Sequence, residues 1–347
     1  MISCIPMTAK RRIYIAYTGG TIGMLPTDRG HAPAPGYLAE VMAKMPELAG
    51  DIVPEYTLHE YPILLDSANM APADWVAIGE DVERHYADYD GFVVLHGTDT
   101  MAYTASALSF LLENLAKPVI VTGAQIPLAK VRNDARDNLL TSMIIAGRCA
   151  VPEVCLYFGT RLLRGNRTRK IGSGILDAFR SYNYPPLGEV GVEIEIHHDR
   201  LLPPPTTDQP FQLQTIGNPH IAAIRLFPGI TATIVRNFLA EPLRGLVLET
   251  YGAGNGPVRD QSFLDALKEA ADRDVVIVNC SQCHIGGVNL DQYATGRALR
   301  DAGVISGRDM TAEAALTKLY YLFGKGLPPE TVKAQMQLDL RGDLGVG

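Results

Sequence analysis

Short apolar runs at 13–17, 92–95, 119–122 and 154–158 alternate with stretches of helical character at 72–86, 101–115 and 134–147. Each run is mostly closed by Gly or Thr, which suits strands buried on both faces of a parallel sheet. Strand–helix alternation of this kind predicts a doubly wound, flavodoxin-like α/β domain with a mostly parallel sheet. In such sheets ligands sit beyond the carboxyl ends of the strands, where loops lead into helices.

The pattern breaks near 199–214, where Leu202-Pro203-Pro204-Pro205 and polar neighbours read as an extended linker. Beyond it, strand-like 221–226, 245–248 and 275–279 interleave with helical 230–239, 262–271 and 311–323. The expected organisation is a larger N-terminal catalytic domain over 1–200, a linker over 201–214 and a smaller C-terminal α/β domain over 215–347. A length of 347 residues suits two domains of this size.

Charge and cysteine usage narrow the function classes. A formal charge of −7 argues against a nucleic-acid partner, whose footprint is basic. The longest apolar runs, such as 105–112, fall well short of the roughly 20 residues of a membrane helix, so no membrane partner is expected. Residues 1–9 lack a positive leading segment and Lys10, Arg11 and Arg12 follow them, the wrong order for a secretory signal; a cytoplasmic protein is expected. Five scattered cysteines fit free thiols in a reducing compartment. Cys280-x-x-Cys283 lacks a second pair, and His197-His198 lacks a third ligand at a recognisable spacing, so no metal site is expected.

Four segments carry possible chemistry. Tyr17-Thr18-Gly19-Gly20-Thr21-Ile22-Gly23 follows the first strand; its glycines permit a tight turn and place Thr21 at the strand's carboxyl end, although taken alone a purely structural turn is the better reading. His96-Gly97-Thr98-Asp99-Thr100 follows the run at 92–95, where Asp or Thr either caps the next helix or supplies a hydroxyl and a carboxylate to the same crevice. The basic segment 161–170 is either a solvated loop or the source of Lys170 as a cation paired with Asp99. A threonine hydroxyl needs such help, because it is a poor nucleophile until a neighbouring base takes its proton. Gly252-Ala253-Gly254-Asn255-Gly256-Pro257 fails the G-x-G-x-x-G spacing of dinucleotide loops, so a nicotinamide cofactor is not expected.

Taken in order, these pieces resemble the bacterial-type L-asparaginase family, and most closely its cytoplasmic type I branch. Thr18-Gly-Gly-Thr21-Ile-Gly and His96-Gly-Thr98-Asp99-Thr100 are similar to the family's two signatures. Asp66-Ser67-Ala68-Asn69-Met70, Gly123-Ala124-Gln125-Ile126-Pro127, Arg164-Gly-Asn-Arg-Thr-Arg-Lys170, Asn183-Tyr184-Pro185-Pro186-Leu187 and Tyr251-Gly-Ala-Gly-Asn255 also resemble counterparts there, so the likeness spans nearly the whole chain.

The resemblance implies hydrolysis of L-asparagine to L-aspartate and ammonia without a cofactor. It implies Thr21 as nucleophile forming an acyl-enzyme, with Thr98, Asp99 and Lys170 handling protons. It implies that Asp99 holds the substrate's α-ammonium and Ser67 its α-carboxylate, with Asp66 and Ala124 among the binding residues. Asn255 would reach the site from a neighbouring subunit, since family members form intimate homodimers, often paired into homotetramers. Alternatives on the same scaffold are a broader glutaminase or amidase and a non-catalytic amino-acid sensor.

Two positions depart from the family pattern. Where the family has a lid tyrosine ten residues after the nucleophile, this chain has His31, with Tyr37 six residues further on. A neutral imidazole accepts a proton near pH 7, so His31 is a candidate catalytic residue, with Tyr37 swinging into the site as the alternative. Ser281-Gln282-Cys283 resembles part of a regulatory asparagine pocket, yet Glu249 stands where an arginine is expected.

Overall fold

The computed structural model describes residues 11–28, 30–206 and 208–345, and the chain separates into two compact units. The first comprises the residues up to Ser181 together with Pro185–Leu213; the second comprises Tyr182–Tyr184 and the residues from Gln214 onward. The expected leader-less terminus over 1–9 lies outside the described residues.

An eight-stranded sheet organises the first unit. Five strands are parallel, in the spatial order Glu55–Leu65, Arg12–Gly19, Gly91–Leu95, Val119–Thr122, Val154–Phe158. This is the 2-1-3-4-5 order of flavodoxin-like sheets, whose direction of winding reverses between the first and third strands. Arg161–Arg164, Gly188–Val190 and Ile194–Ile196 extend the sheet antiparallel beyond Val154–Phe158.

Successive side chains of a strand point to opposite faces, and here both faces are dry. Tyr14, Ala16, Phe92 and Val94 pack with Ile78 and Val82 of the Pro72–His85 helix and with Ala105 and Leu108 of Met101–Leu111. Ile13, Ile15 and Val93 are equally buried, and Gly147 of the Ala135–Arg148 helix comes close enough to Ile13 that a Cβ there would lie 3.4 Å from its side chain. The expected helix over 101–115 stops at Leu111, because Leu112–Glu113 turn into a short antiparallel ladder with Gln212–Leu213. Leu213 fills the space above Gly79 and Phe211 stacks on Tyr86, so the end of the proline-rich stretch is anchored to this unit.

In the second unit Ile221–Arg225, Gly245–Thr250, Val276–Ser281 and Val304–Ser306 form a four-stranded, wholly parallel sheet in chain order. Leu246, Leu248 and Ile277 pack against Val235, Phe263, Leu267 and Leu299 from the flanking helices. Asp260 and Thr311 cap the Gln261–Asp272 and Ala312–Gly324 helices by accepting Ser262 N–H at 3.0 Å and Ala314 N–H at 3.0 Å. Lys318, fully buried, donates to Asp343 Oδ2 at 2.6 Å and to the Leu338 carbonyl at 2.6 Å, which ties the last described stretch to that helix.

Cys155, Cys280 and Cys283 are in no disulfide; Cys155 and Cys280 are buried, whereas Cys283 is exposed. Cys149 is disulfide-bonded, which corrects the expectation of free thiols throughout and removes cysteine usage as an argument for a reducing compartment. Among the described residues no helix is long and apolar enough to cross a membrane.

Candidate active site

The two signature turns leave adjacent parallel strands, Arg12–Gly19 and Gly91–Leu95, at the point where the winding of the sheet reverses. They meet through bare backbone. Gly19 and Gly20 hold φ of +127° and +85°, a region that L side chains avoid. A Cβ on Gly19 would stand 2.2 Å from the Leu65 carbonyl oxygen, and one on Gly20 would stand 2.4 Å from the Gly97 nitrogen. Buried Thr18 stitches the strands together by donating to the Leu95 carbonyl at 2.9 Å. Thr21 follows at once and opens a short 3-10 turn, Thr21–Gly23. Its hydroxyl is half-buried and has no hydrogen-bond partner among the described residues.

The second turn is fixed from below by His96. Its Nδ1 lies 2.6 Å from the Gly97 carbonyl oxygen and its Nε2 lies 2.8 Å from Thr104 Oγ1. A carbonyl only accepts, so Nδ1 carries the proton and Nε2 accepts from the threonine. Complete burial pushes this imidazole down to about 4, so it is neutral at pH 7.

Lys170 arrives from outside the main sheet, on Arg169–Lys170, which pairs antiparallel with Phe179–Arg180. Its ammonium donates to Thr98 Oγ1 at 2.8 Å and to Asp99 Oδ1 at 2.6 Å. Of the two readings left open for 161–170, the solvated basic loop is wrong. Arg164, Asn166, Arg167 and Thr168 are buried, and Arg164 forms an ion pair with buried Glu153 at 2.6 Å.

Ser67 is locked onto the same turn. Asp99 N–H donates to Ser67 Oγ at 3.3 Å, and Thr100 Oγ1 donates to the Ser67 carbonyl at 2.8 Å. A Cβ on Gly97 would fall 2.5 Å from Ser67 Oγ, so glycine is required for that approach. Exposed Asp66 accepts Ala68 N–H at 3.1 Å and caps its own turn. Ala124 is buried directly after Val119–Thr122, in a loop held by Asp134, whose two oxygens accept the N–H groups of Gln125 and Ile126 at 2.9 Å each.

Thr98, Asp99, Ser67 and Lys170 are therefore linked by direct hydrogen bonds, and Thr21 adjoins them through the Gly20–Gly97 contact. His31 and Tyr37 are not linked to them. His31 is exposed on the Gly30–Pro33 strand of a hairpin opposite Pro26, and Tyr37 begins the Tyr37–Ala43 helix; among the described residues no hydrogen bond joins either to Thr21. Asn255 lies in the second unit, on a turn closed by Tyr251 N–H to its carbonyl at 3.0 Å, and its side chain accepts from Thr295. Glu249 lies beside Arg225 at 3.8 Å on neighbouring strands.

Spacing alone gives no signal for Gln125, yet its Oε1 accepts from Thr98 Oγ1 at 3.2 Å. Among the described residues no group of three or more His, Cys, Asp or Glu side chains is arranged to hold a metal ion. The cluster thus offers a free hydroxyl beside a hydroxyl–ammonium–carboxylate trio. Such a set suits nucleophilic attack with proton transfer.

Comparison with known proteins agrees with this geometry. The family description "Asparaginase, N-terminal" matches residues 12–202, and "Glutaminase/Asparaginase C-terminal domain" matches residues 220–336. The chain is 51% identical over 337 residues to L-asparaginase 1 of Escherichia coli, covering 96% of this chain and 98% of that one. It is 43% identical to the 60 kDa lysophospholipase of Mus musculus, of which it covers 63% while 97% of this chain is matched. The crystal structure of L-asparaginase I from Vibrio cholerae superposes with a TM-score of 0.90 at 48% identity, covering 97% of this chain and 100% of that one. Both family domains in order, on a sheet whose reversal point gathers the signature residues, show that this chain belongs to the asparaginase family.

Proposed function

We propose that the protein hydrolyses the side-chain amide of L-asparagine to L-aspartate and ammonia, without a cofactor. The observation that carries this reading is the Lys170 ammonium bonded to both Thr98 and Asp99 beside the turn that presents Thr21.

In the reaction, Thr21 Oγ1 attacks the amide carbon, the polar group of Thr98, Asp99 and Lys170 takes up its proton and supplies one to the departing nitrogen, and the C–N bond breaks to release ammonia. Water then attacks the ester, and its proton returns to Thr21 as aspartate departs. Asp99 receives the α-ammonium, and Ser67 with the backbone beside it receives the α-carboxylate, with Asp66 and Ala124 among the other binding residues; a zwitterion held at two points keeps its amide in register. Backbone N–H groups of the glycine turns supply donors to the developing oxyanion.

His31 takes the lid position without an essential share in the chemistry. The enzyme is cytoplasmic, its domains span 1–200 and 215–347 about the 201–214 connection, and it assembles as a homodimer or homotetramer in which Asn255 completes a neighbouring subunit's site. Sedimentation as a monomer at assay concentrations would sink the shared-site reading.

Ammonia release tests the chemistry. Wild type is expected to turn over asparagine, Thr21→Ala to release none, and His31→Tyr to keep or raise the rate. Appreciable turnover by Thr21→Ala would falsify the assigned nucleophile, and a large loss in His31→Tyr would give the histidine a catalytic part. The second family description, which names glutaminases, favours one further reading, a broader amidase. Turnover of glutamine matching that of asparagine would establish it, and binding of either amide with no ammonia released would mark a sensor.

A further inference from the structure

The hydrogen bonds around Gln125 have only one consistent direction. Its Nε2 lies 3.3 Å from the Gly172 carbonyl oxygen and 3.1 Å from the Ile175 carbonyl oxygen. Both carbonyls can only accept, so the carboxamide must turn its NH2 toward them. Its Oε1 then faces Thr98 Oγ1 at 3.2 Å and can only accept in turn. The Thr98 proton is therefore committed to Gln125. The lone pairs of Thr98 are left for Lys170, which donates at 2.8 Å, and for a reacting group. Two backbone carbonyls in the loop after Lys170 thus dictate the donor–acceptor sense of the whole chain.

From this geometry we infer that Gln125 is a positioning residue, which holds the Thr98 hydroxyl with its proton turned away from the cleft and its oxygen presented as an acceptor to the reacting group. The inference rests on the amide-hydrolysis reading and specifies how that site is oriented. A threonine hydroxyl rotates freely about its C–O bond unless something claims its proton. Without Gln125, the Thr98 hydroxyl would be free to turn its proton toward the reacting group, and an O–H donor there, of Thr21 or of water, would meet an O–H dipole of the wrong sense. Gln125 also bonds the loop that follows Lys170, so one side chain aligns the hydroxyl and steadies the segment behind the lysine.

Steady-state kinetics on asparagine with Gln125→Met and Gln125→Glu tests this. Methionine keeps the length and removes both the acceptor and the donors. It is expected to lower kcat about tenfold, the effect of one half-buried hydrogen bond felt in the transition state, with KM within about twofold and an unchanged melting temperature. The solvent deuterium isotope effect on kcat should rise as proton transfer becomes slower.

Glutamic acid, assayed at about pH 4 where more than half of an ordinary carboxyl is protonated, offers an acceptor to Thr98 and a donor to the loop and should recover a substantial part of the lost kcat relative to wild type at the same pH. Wild-type kcat in Gln125→Met overturns the inference. So does a fall in melting temperature that accounts for the loss, or a failure of Gln125→Glu to recover under those conditions. A wild-type protein that releases no ammonia overturns the amide-hydrolysis reading itself, a result separate from any difference between variants.

Discussion

A histidine with both ring nitrogens hydrogen-bonded and no exposed surface keeps one protonation state across most of the working pH range, and His96 has this environment. In the unfolded chain it titrates near its ordinary 6.5, whereas in the fold burial holds it at about 4. Between these values the unfolded state binds more protons. The contribution of His96 to stability is therefore complete above pH 6.5 and declines as pH falls from 6.5 toward about 4, by up to about 3 kcal/mol. Denaturant midpoints measured from pH 7 to pH 4 should lose less in His96→Gln than in wild type; equal losses would contradict the assignment. His96 was visible in the sequence as the head of a motif, although its task was not. Gln125 lay within the Gly123–Pro127 segment that carries part of the resemblance, but nothing local marked its bond to Thr98, because its partners Thr98, Gly172 and Ile175 are distant along the chain.

Turns shaped by contact with other turns make the glycines of the first signature a matter of elements rather than of residues. Gly20→Ala places a Cβ against the Gly97 backbone and forces a left-handed φ on an L residue, which alone costs about 1–2 kcal/mol. The backbone clash adds to that and has no flexible side chain to yield. A lowered denaturation midpoint together with lost ammonia release is expected, and full activity would mean that the two turns do not set each other's position.

The parallel strands were legible because burial on both faces made each a continuous apolar run, as in Ile13 to Tyr17. The edge strand Glu55–Leu65 was not, since Glu55, His59 and Glu60 interrupt its apolar residues and it is paired along only one side. The buried arginines of 161–170 also escaped the sequence. A basic run looks solvated until a partner such as Glu153, close in space and only loosely marked in sequence, is known.

At the scale of the whole molecule, each unit carries its own core, and in the second a buried charge pair ties the last described stretch to a helix. Lys318 and Asp343 are both fully buried, and burial pulls the lysine below its ordinary value while the aspartate opposes that. Removing one partner strands the other, so Lys318→Met is expected to cost about 3–5 kcal/mol, whereas Lys318→Met combined with Asp343→Leu should cost less. Urea melts of the three proteins check this, and a double variant weaker than the single one would show that the pair is not isolated from its surroundings.

Lys170 is mounted differently. It stands on a two-residue ladder beside the main sheet, and its partners Thr98 and Asp99 belong to a turn already secured by His96, Ser67 and the glycines. Lys170→Met is therefore expected to leave the frame intact while ammonia release is lost, which its melting temperature and an ammonia assay check. On that expectation, a lineage built on this scaffold stands one substitution away from a receptor that captures an amino acid and returns it unchanged.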